Sequence, residues 1–309
     1  MTIPAVEIRG LVKEYREGFR RRRTCALDGL EVTIPQGIVF GLLGPNGAGK
    51  STAFHVLLGF LRPTRGTARL LGRPIEQPAS RRSVGFLPEI FAFDGFSTAE
   101  QLLRRFDAVA GHALEGREAR VREALRAVGL EDAARRKVGR YSKGMMQRVG
   151  LAQALLGDPD LVLLDEPMSG MDPAQRLATK EMLQARRRRG KTTVFSSHIL
   201  ADVEDVVDRI LILQKGKVVQ EAALDALRGG QGMRMVVIRL PQGAEPDLGE
   251  VHAHARGEDG AWRLTVHEDR LEPLLAQVIA QGAKVLQVTP QRRSLEDLFL
   301  EITGQGSPS

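Results

Sequence analysis

Hydrophobic and polar residues follow two different patterns along this chain. Short runs in which nearly every residue is apolar are separated by longer segments whose apolar residues recur every three or four positions. The first pattern is typical of strands buried on both faces of a parallel sheet, and the second of helices that cover such a sheet. The pattern extends from residue 5 to about 228 and predicts an α/β fold with a mostly parallel sheet. The predicted strands cover 6–8, 38–43, 83–87, 161–164, 192–196 and 209–213.

The segment 91–140 interrupts this alternation, because its apolar residues follow the helical period alone. Ser97 and Glu100 have the spacing of a capping box and predict the start of one helix. An apolar stripe at Val121, Leu125 and Val128 predicts a second helix. The segment is therefore expected to form a helical insertion in the α/β domain.

A second, smaller domain is predicted after residue 230. Lys215 and Gly216 separate two apolar runs and predict a hairpin that closes the first domain, and Gly229 and Gly230 form a break. Strands are predicted over 233–240, 262–267 and 284–288, and helices near 270–281 and 294–302. The expected division is thus a first domain over 1–228 and a C-terminal α+β domain over 231–309.

Composition narrows the classes of protein to which the chain can belong. Its 309 residues are 42% hydrophobic and 27% charged, which favours a folded protein with a sizeable core. No apolar run approaches the roughly 20 residues of a bilayer span, and the N-terminal sequence lacks the pattern of a secretion signal. The single cysteine, Cys25, excludes an internal disulfide and agrees with a reducing compartment.

The formal net charge of +7 favours contact with an anionic surface, either nucleic acid or the cytoplasmic face of a membrane. The arginine run at 20–23 is predicted to lie in a loop between Tyr15 and a strand that begins near Leu30. Such a loop is either simply solvated or a contact for lipid or a partner. A second arginine run, 186–189, closes a helix predicted to start with Asp172 as N-cap, where cations suit the negative end of the helix dipole.

The strongest chemical signal is a phosphate-binding loop that follows the apolar run 38–43. It fits the pattern G-x-x-x-x-G-K-[ST], in which glycines let backbone N–H groups point at one anion and the next helix adds partial positive charge. Lys50 adds a mobile cation, and Ser51 can supply a hydroxyl ligand to Mg²⁺. The alternative is an ordinary glycine-rich turn. The residues predicted to contact the nucleotide here are Gly44, Pro45, Asn46, Gly47, Ala48, Gly49, Lys50, Ser51 and Thr52.

Two adjacent carboxylates, Asp165 and Glu166, end the apolar run 161–164. Ligand sites gather at the carboxyl ends of parallel strands, so these acids are expected beside the phosphate loop. Asp165 is predicted to hold Mg²⁺, and Glu166 to orient or deprotonate the water that attacks the γ-phosphate. The structural alternative is that both acids cap the following turn.

The segment 141–148, with the sequence Tyr-Ser-Lys-Gly-Met-Met-Gln-Arg, resembles the signature motif of the ABC (ATP-binding cassette) ATPases. In that family the motif begins a helix, and its serine and glycine bind the γ-phosphate of ATP held by the opposite subunit. Ser142 and Gly144 match these roles. Lys143, Met145 and Met146 depart from the usual motif, which affects the expected contacts to the ribose.

The same resemblance covers about residues 5–228 and implies roles for further positions. Tyr15 is similar to the aromatic residue that stacks on adenine, and 169–172 to the loop that crosses the dimer interface. His198 resembles the histidine that hydrogen-bonds the γ-phosphate, which would make it catalytic together with Glu166 and Lys50. Glu89 stands where most members carry the glutamine that senses Mg²⁺, and a carboxylate can still ligate that metal.

Glutamate at this position, and a C-terminal tail such as 293–302, are found in the branch that includes polyketide-drug, bacitracin and sodium efflux systems. The resemblance therefore implies a P-loop cassette with a parallel core, an antiparallel β subdomain and a helical subdomain. It implies an ATPase that uses ATP and Mg²⁺, pairs with a second copy of itself, and drives export through separate integral membrane permease subunits. Such a subunit is cytoplasmic and peripheral on the inner face of the membrane.

Two alternatives remain open at this stage. A soluble ABC ATPase acting on nucleic acid or the ribosome would agree with the basic charge, but such proteins commonly carry two cassettes or a long inserted coiled coil, and this sequence has neither. No specific nucleic acid partner is therefore expected. The second alternative is a nucleotide-binding scaffold without catalysis, which Lys50, Asp165, Glu166 and His198 disfavour.

Overall fold

A six-stranded sheet with the order β10-β9-β3-β8-β7-β6 forms the centre of the first structural unit. The protein is described here by a computed structural model that covers residues 3–17, 22–224, 232–241, 251, 253–257 and 260–290. The chain divides into two units, 1–223 and 224–309, which are described separately. The strands of this sheet are β3 (Val39–Leu43), β6 (Val84–Leu87), β7 (Leu161–Leu164), β8 (Thr192–Ser197), β9 (Arg209–Gln214) and β10 (Lys217–Ala223).

The five strands β9, β3, β8, β7 and β6 pair in parallel, as the apolar runs predicted. Strands β3, β7 and β8 are buried along their whole length, because helices or the antiparallel sheet described next cover both faces. Strand β10 pairs antiparallel with β9 through the predicted hairpin, whose Lys215 and Gly216 both have positive φ, 49° and 79°.

An antiparallel sheet with the order β2-β1-β4-β5 packs beside the parallel sheet, and the helix that follows the phosphate loop shares its core. Its long strands were only partly predicted. Arg22 and Arg23 lie within β2, paired with Glu17 and Arg16 of β1, so the predicted loop over 20–23 is wrong for these two residues. Its strands are β1 (Val6–Glu17), β2 (Arg22–Ile34), β4 (Arg65–Leu70) and β5 (Arg73–Pro74).

The first unit also contains helices, and between 91 and 140 the structure has helices and turns but no named strand, as predicted. The capping box lies one residue later than predicted. The Thr98 hydroxyl accepts from the Gln101 N–H at 3.2 Å and the Gln101 side chain accepts from the Thr98 N–H at 2.9 Å, whereas Ser97 bonds to Asp94. The helices are α1 (Lys50–Leu57), α2 (Ala99–Val109), α3 (Arg117–Ala127), α4 (Lys143–Leu155) and α5 (Pro173–Arg188), with short 3-10 turns at Pro78–Arg81, Val138–Arg140 and Leu200–Asp202.

In the described part of the second unit, a helix packs on an antiparallel sheet with the order β12-β13-β11-β14. Val236, Ile238 and Leu264 from the sheet meet Leu274 and Val278 from the helix in a small core. The strand β12 was not predicted, and the predicted helix over 294–302 lies outside the described residues. The elements are β11 (Met233–Arg239), β12 (Ala253–Arg256), β13 (Trp262–His267), α6 (Leu271–Ala280) and β14 (Lys284–Pro290), with a 3-10 turn at Glu268–Arg270. Over the described ranges of both units, no helix has the length and apolar character that a bilayer crossing requires.

Candidate functional site

The phosphate loop predicted from the sequence connects the buried strand β3 to the start of α1. Gly44 and Gly49 adopt φ of 151° and 110°, and a Cβ on either would lie 2.3 Å from the Leu213 carbonyl oxygen or 2.4 Å from the Ala26 carbonyl oxygen. Both contacts are with backbone, which cannot move aside cheaply. Only glycine therefore fits these two positions, and the loop closes tightly against its surroundings.

The first turn of α1 offers backbone N–H groups to a ligand. Gly49 is its N-cap and provides no side-chain hydrogen bond, so these donors have no capping side chain. Ser51 and Thr52 lie half-buried in this turn. Together with the helix dipole, this arrangement favours an anion at the N-terminus of α1.

Tyr15 lies next to the phosphate loop, where the resemblance places a base-stacking residue. Its hydroxyl is 3.4 Å from the Thr52 hydroxyl oxygen. The ammonium of Lys13 sits 5.3 Å from the centre of the Tyr15 ring. The ring is half-buried and thus positioned at the edge of the loop.

Lys50 is almost completely buried, with 6% of its surface exposed. Its ammonium donates to the Gly44 carbonyl oxygen at 2.6 Å and lies 3.8 Å from Glu166 Oε1. Burial lowers the pKa of Lys50, and the negative charges of Glu166, Asp165 and Glu89 act in the opposite direction. A cation partly stripped of water is well placed to bind an incoming phosphate oxygen.

Asp165 and Glu166 follow β7 at the same edge of the sheet as the phosphate loop, as predicted. Asp165 is 1% exposed, and its Oδ1 accepts from the Ser196 hydroxyl at 2.5 Å. The Ser196 oxygen in turn accepts from the Glu166 N–H at 2.9 Å. One serine at the end of β8 thus fixes both acids.

The carboxylate of Glu166 is placed between two basic side chains. Its Oε1 is 3.8 Å from Lys50 Nζ and 2.9 Å from His198 Nδ1. Burial raises the pKa of Glu166, while the hydrogen bond and charge of His198 and the charge of Lys50 oppose that rise. The result is a buried, hydrogen-bonded carboxyl group, which has the environment of a general base.

A cavity of about 110 Å³ borders Glu166 and His198. Arg176 and Asp202 line its far side, joined by hydrogen bonds of 3.0 and 2.9 Å from Arg176 Nη1 to the two carboxylate oxygens. Arg176 Nε also donates to the Met171 carbonyl at 3.3 Å, which ties the 169–172 loop to the turn after His198. The cavity has room for several water molecules next to the candidate base.

Glu89 is exposed and lies two residues beyond the end of β6. Because β6 and β7 pair in parallel with Leu87 opposite Leu164, Glu89 follows the same edge of the sheet as Asp165 and Glu166. The charge of Glu89 acts to raise the pKa of Lys50.

Ser142 and Gly144 lie in a different environment, at the N-terminus of α4. Ser142 is its N-cap, and its hydroxyl accepts from the Met145 N–H at 3.2 Å. A Cβ on Gly144 would lie 2.2 Å from the Gln175 amide oxygen, so α4 packs closely against the start of α5. Among the hydrogen bonds and ion pairs of the described residues, none joins Ser142 or Gly144 to the phosphate loop.

Sequence reasoning gave no role to Ser196 or Gln147, although both hold the site together. Gln147 is buried in α4, and its amide nitrogen donates to the carbonyl oxygens of Glu166 and Pro167, both at 3.2 Å. Ser196 follows Val194 and Phe195 in β8, and Gln147 follows Met145 and Met146 in α4, but each has a polar neighbour on its other side. The local pattern therefore marks neither residue as buried and does not identify its partner.

Residues 27–169 match the protein family described as ABC transporter. An uncharacterized ABC transporter ATP-binding protein of Nostoc sp. is 40% identical to this chain, over 94% of the chain and 87% of that protein. The Nod factor export ATP-binding protein I of Burkholderia lata is 33% identical, over 99% of each protein. The bacitracin transport ATP-binding protein BcrA of Bacillus licheniformis is 32% identical, over 91% of this chain and 94% of that protein.

Solved structures of the same kind resemble the chain. The structure of an ATP-binding subunit of an ABC transporter is 30% identical with a TM-score of 0.64, over 72% of this chain and 92% of that one. An ATP-binding cassette solved as a dimer in a post-hydrolysis state, bound to ADP and Pi, is 26% identical with a TM-score of 0.65, over 71% of this chain and 98% of that one. The α/β cassette fold predicted from the sequence is thus confirmed.

Proposed function

Since this chain belongs to the family of ABC transporter ATP-binding proteins, we propose that it is the ATP-hydrolysing subunit of an exporter whose membrane-spanning subunits are separate chains. The relatives named for Nod factor export and bacitracin transport align with nearly the whole chain, which favours export over action on nucleic acid or the ribosome. Glu89 and the tail 293–302 add support for the branch of drug, antibiotic and sodium efflux systems.

ATP binds with its β- and γ-phosphates in the loop 44–52. The backbone N–H groups at the start of α1 and the ammonium of Lys50 supply the positive field. Lys50 exchanges the carbonyl oxygen of Gly44 for a phosphate oxygen, which gives it a second partner of opposite charge besides Glu166. Tyr15 stacks on the base, and its position beside Thr52 supports this role.

The observation that carries the hydrolytic role is the buried Glu166 carboxylate with His198 on one side and Lys50 on the other. In the reaction, a water oxygen forms a bond to the γ-phosphorus, the bond from that phosphorus to the bridging oxygen breaks, and the water proton passes to Glu166. His198 uses Nδ1 to orient Glu166, which directs its other ring nitrogen to the γ-phosphate.

In a dimer of this chain there are two ATP sites, and each copy contributes half of each site. Ser142 is exposed at the N-terminus of α4, Gly144 lies buried in the first turn beside Gln175, and among the described residues neither contacts its own phosphate loop. Ser142 and the first turn of α4 meet the γ-phosphate of a second copy, for which the Gln175 side chain moves off Gly144. Because ATP then contacts both copies, it favours the closed dimer, and hydrolysis releases it.

Mg²⁺ fits the side chains at this edge of the sheet. Among the described residues, no group of three or more His, Cys, Asp or Glu side chains is arranged to hold a metal by itself. Mg²⁺ bound with nucleotides needs only one or two carboxylates, the remaining ligands being phosphate oxygens and waters. Asp165, Ser51 and Glu89 would hold it, and it would neutralise charge on the β- and γ-phosphates.

The permease subunits are proposed to contact the helical insertion, which would keep the chain on the inner face of the membrane. At its start Ile90 and Phe96 are 86% and 84% exposed, which is unusual for large apolar side chains and typical of a protein interface. A group of exposed cations lies close to this start of the insertion. The Gly139 N–H donates to the Gly95 carbonyl oxygen at 3.2 Å and so brings the segment with these cations next to residue 95. These cations are Arg135, Arg136, Lys137 and Arg140.

The substitution Glu166→Gln tests the hydrolytic role. The variant keeps the phosphate loop and should bind ATP like the wild type, but its turnover should fall by roughly 100-fold or more because the base is lost. In size-exclusion chromatography with ATP and Mg²⁺ it should accumulate as a dimer. Glu181→Gln, an exposed carboxylate on α5, is the matched control and should behave as wild type.

Full activity in Glu166→Gln would remove Glu166 as the base. Dilution tests the shared site in the wild-type protein, since the rate per molecule should fall as the dimer dissociates. A rate per molecule that is independent of concentration, in a protein that stays monomeric with ATP, would refute it. The exporter role is tested by isolating the tagged chain from its own cell membranes, where a multi-span membrane protein should copurify.

A further inference from the structure

Gln147 is a buried polar side chain of the first unit, with 6% of its surface exposed. Its amide nitrogen donates to the carbonyl oxygens of Glu166 and Pro167 at 3.2 Å each. A buried amide is costly unless both partners are present, so Gln147 is held to this position by the peptide it contacts.

The peptide that Gln147 contacts has an uncommon backbone conformation. Glu166 has φ of +50°, in the left-handed region that side chains other than glycine rarely adopt. Such a conformation persists where the surroundings determine it from several sides. Here Ser196 accepts from the N–H of Glu166 and Gln147 donates to its carbonyl, so two side chains from β8 and α4 hold the candidate base.

Helix α4 carries a second group of functional residues at its N-terminus. Ser142 caps the helix and Gly144 lies in its first turn, five and three positions before Gln147. At a rise of 1.5 Å per residue, Ser142 and Gln147 are only about 7.5 Å apart along the axis. A displacement of the N-terminus of so short a piece of helix is carried directly to Gln147.

We propose that Gln147 is a positioning residue that links the two ATP sites of the dimer. Through Gln147, the contact of Ser142 and Gly144 with the nucleotide of the second copy sets the position of Glu166 in the same chain. This inference rests on the proposed function, in which those two residues meet the partner's γ-phosphate. Each site then hydrolyses ATP at its full rate only when the other site is occupied.

The substitution Gln147→Met tests this link, because it removes the N–H donors and nearly keeps the length and volume of the side chain. Gln147→Leu is a second variant, and Gln153→Met, six positions further along α4, is the matched control. Measurements are ATP affinity at equilibrium, the ATPase rate against ATP concentration, and the thermal unfolding midpoint.

For Gln147→Met we expect ATP affinity within about twofold of the wild type and kcat lower by roughly 10- to 100-fold, as the loss of two hydrogen bonds predicts. The Hill coefficient of the rate curve should fall below its wild-type value but stay above 1, because ATP still favours the dimer. The control Gln153→Met should retain the wild-type kcat and Hill coefficient.

A wild-type kcat and Hill coefficient in Gln147→Met would overturn the proposal, and so would a loss of kcat with no change in the Hill coefficient. Loss of ATP affinity together with kcat in both Gln147 variants would assign the residue to the fold alone and also overturn it. Failure of the proposed function looks different, because Glu166→Gln would then hydrolyse ATP as fast as the wild type.

Discussion

Removing the hydroxyl of Ser196 is the sharpest test of how the two acids of the site are held. Ser196 is fully buried at the end of β8, and its hydroxyl makes two hydrogen bonds, as donor to Asp165 at 2.5 Å and as acceptor from the Glu166 N–H at 2.9 Å. In Ser196→Ala both partners remain buried and lose this contact. The change is small in volume, so its effect reports on the hydrogen bonds.

The expected cost follows from the two groups that lose a partner. A hydrogen bond to a charged carboxylate contributes about 1.5 to 3 kcal/mol, and a buried N–H left without an acceptor costs about 1 to 3 kcal/mol. Together they predict a loss of about 2.5 to 6 kcal/mol in the free energy of unfolding. For a unit of this size that corresponds to a fall of roughly 5 to 20 °C in the unfolding midpoint.

Ser197→Ala is the matched control, since Ser197 is the next residue and is also buried. Its hydroxyl bonds only to the N–H and carbonyl of Ile199, at 3.0 Å each, and its loss should cost about 1 kcal/mol. Urea unfolding measures both free energies, and a coupled phosphate-release assay measures turnover. Ser196→Ala should also lose turnover, because Asp165 and Glu166 share this one support. Equal stability and turnover in the two alanine variants would refute the reasoning.

Two further predictions concern the charged groups of the site. Burial raises the pKa of Glu166 above its ordinary 4.5, so the inactive protonated form is populated at a higher pH than for a free carboxyl group. The acidic limb of kcat, measured at saturating ATP from about pH 4 to 9, should therefore lie above pH 4.5. A limb at or below pH 4.5 contradicts this role. Lys50→Ala should weaken ATP binding in calorimetry by roughly 10- to 100-fold, since a charge-assisted bond is lost. The control Lys217→Ala, at an exposed position on β10, should keep the wild-type ATP affinity. Equal ATP affinities in the two variants would exclude Lys50 from the phosphate site.

The features that the sequence alone predicted are those set by local pattern. Strands β3 and β7 are short runs of apolar residues, which only a strand covered on both faces explains, and the glycines of 44–49 allow little besides a phosphate loop. Asp165 and Glu166 were predicted beside that loop because they follow β7, and the carboxyl ends of parallel strands meet at one edge of the sheet.

The features that were missed depend on contacts between distant segments. Strands β2 and β4 have one exposed face rich in charged residues, and their pairing with β1 overrides this weak local signal. The capping box differs by one residue because serine and threonine stand side by side at 97 and 98 and either can cap. Ser196 and Gln147 became visible only when β8 and α4 were brought to Glu166.

The start of α1 has no capping side chain, as is also true of α3 and α6, whereas α2, α4 and α5 are capped by the side chains of Thr98, Ser142 and Asp172. In the proposed function, the triphosphate binds the backbone donors at the start of α1. Folding and ligand occupancy are then one linked equilibrium, in which nucleotide at 100 times its dissociation constant adds about 2.7 kcal/mol of stability. A cell short of ATP would therefore hold this subunit in a state that is not only idle but also easier to unfold and degrade.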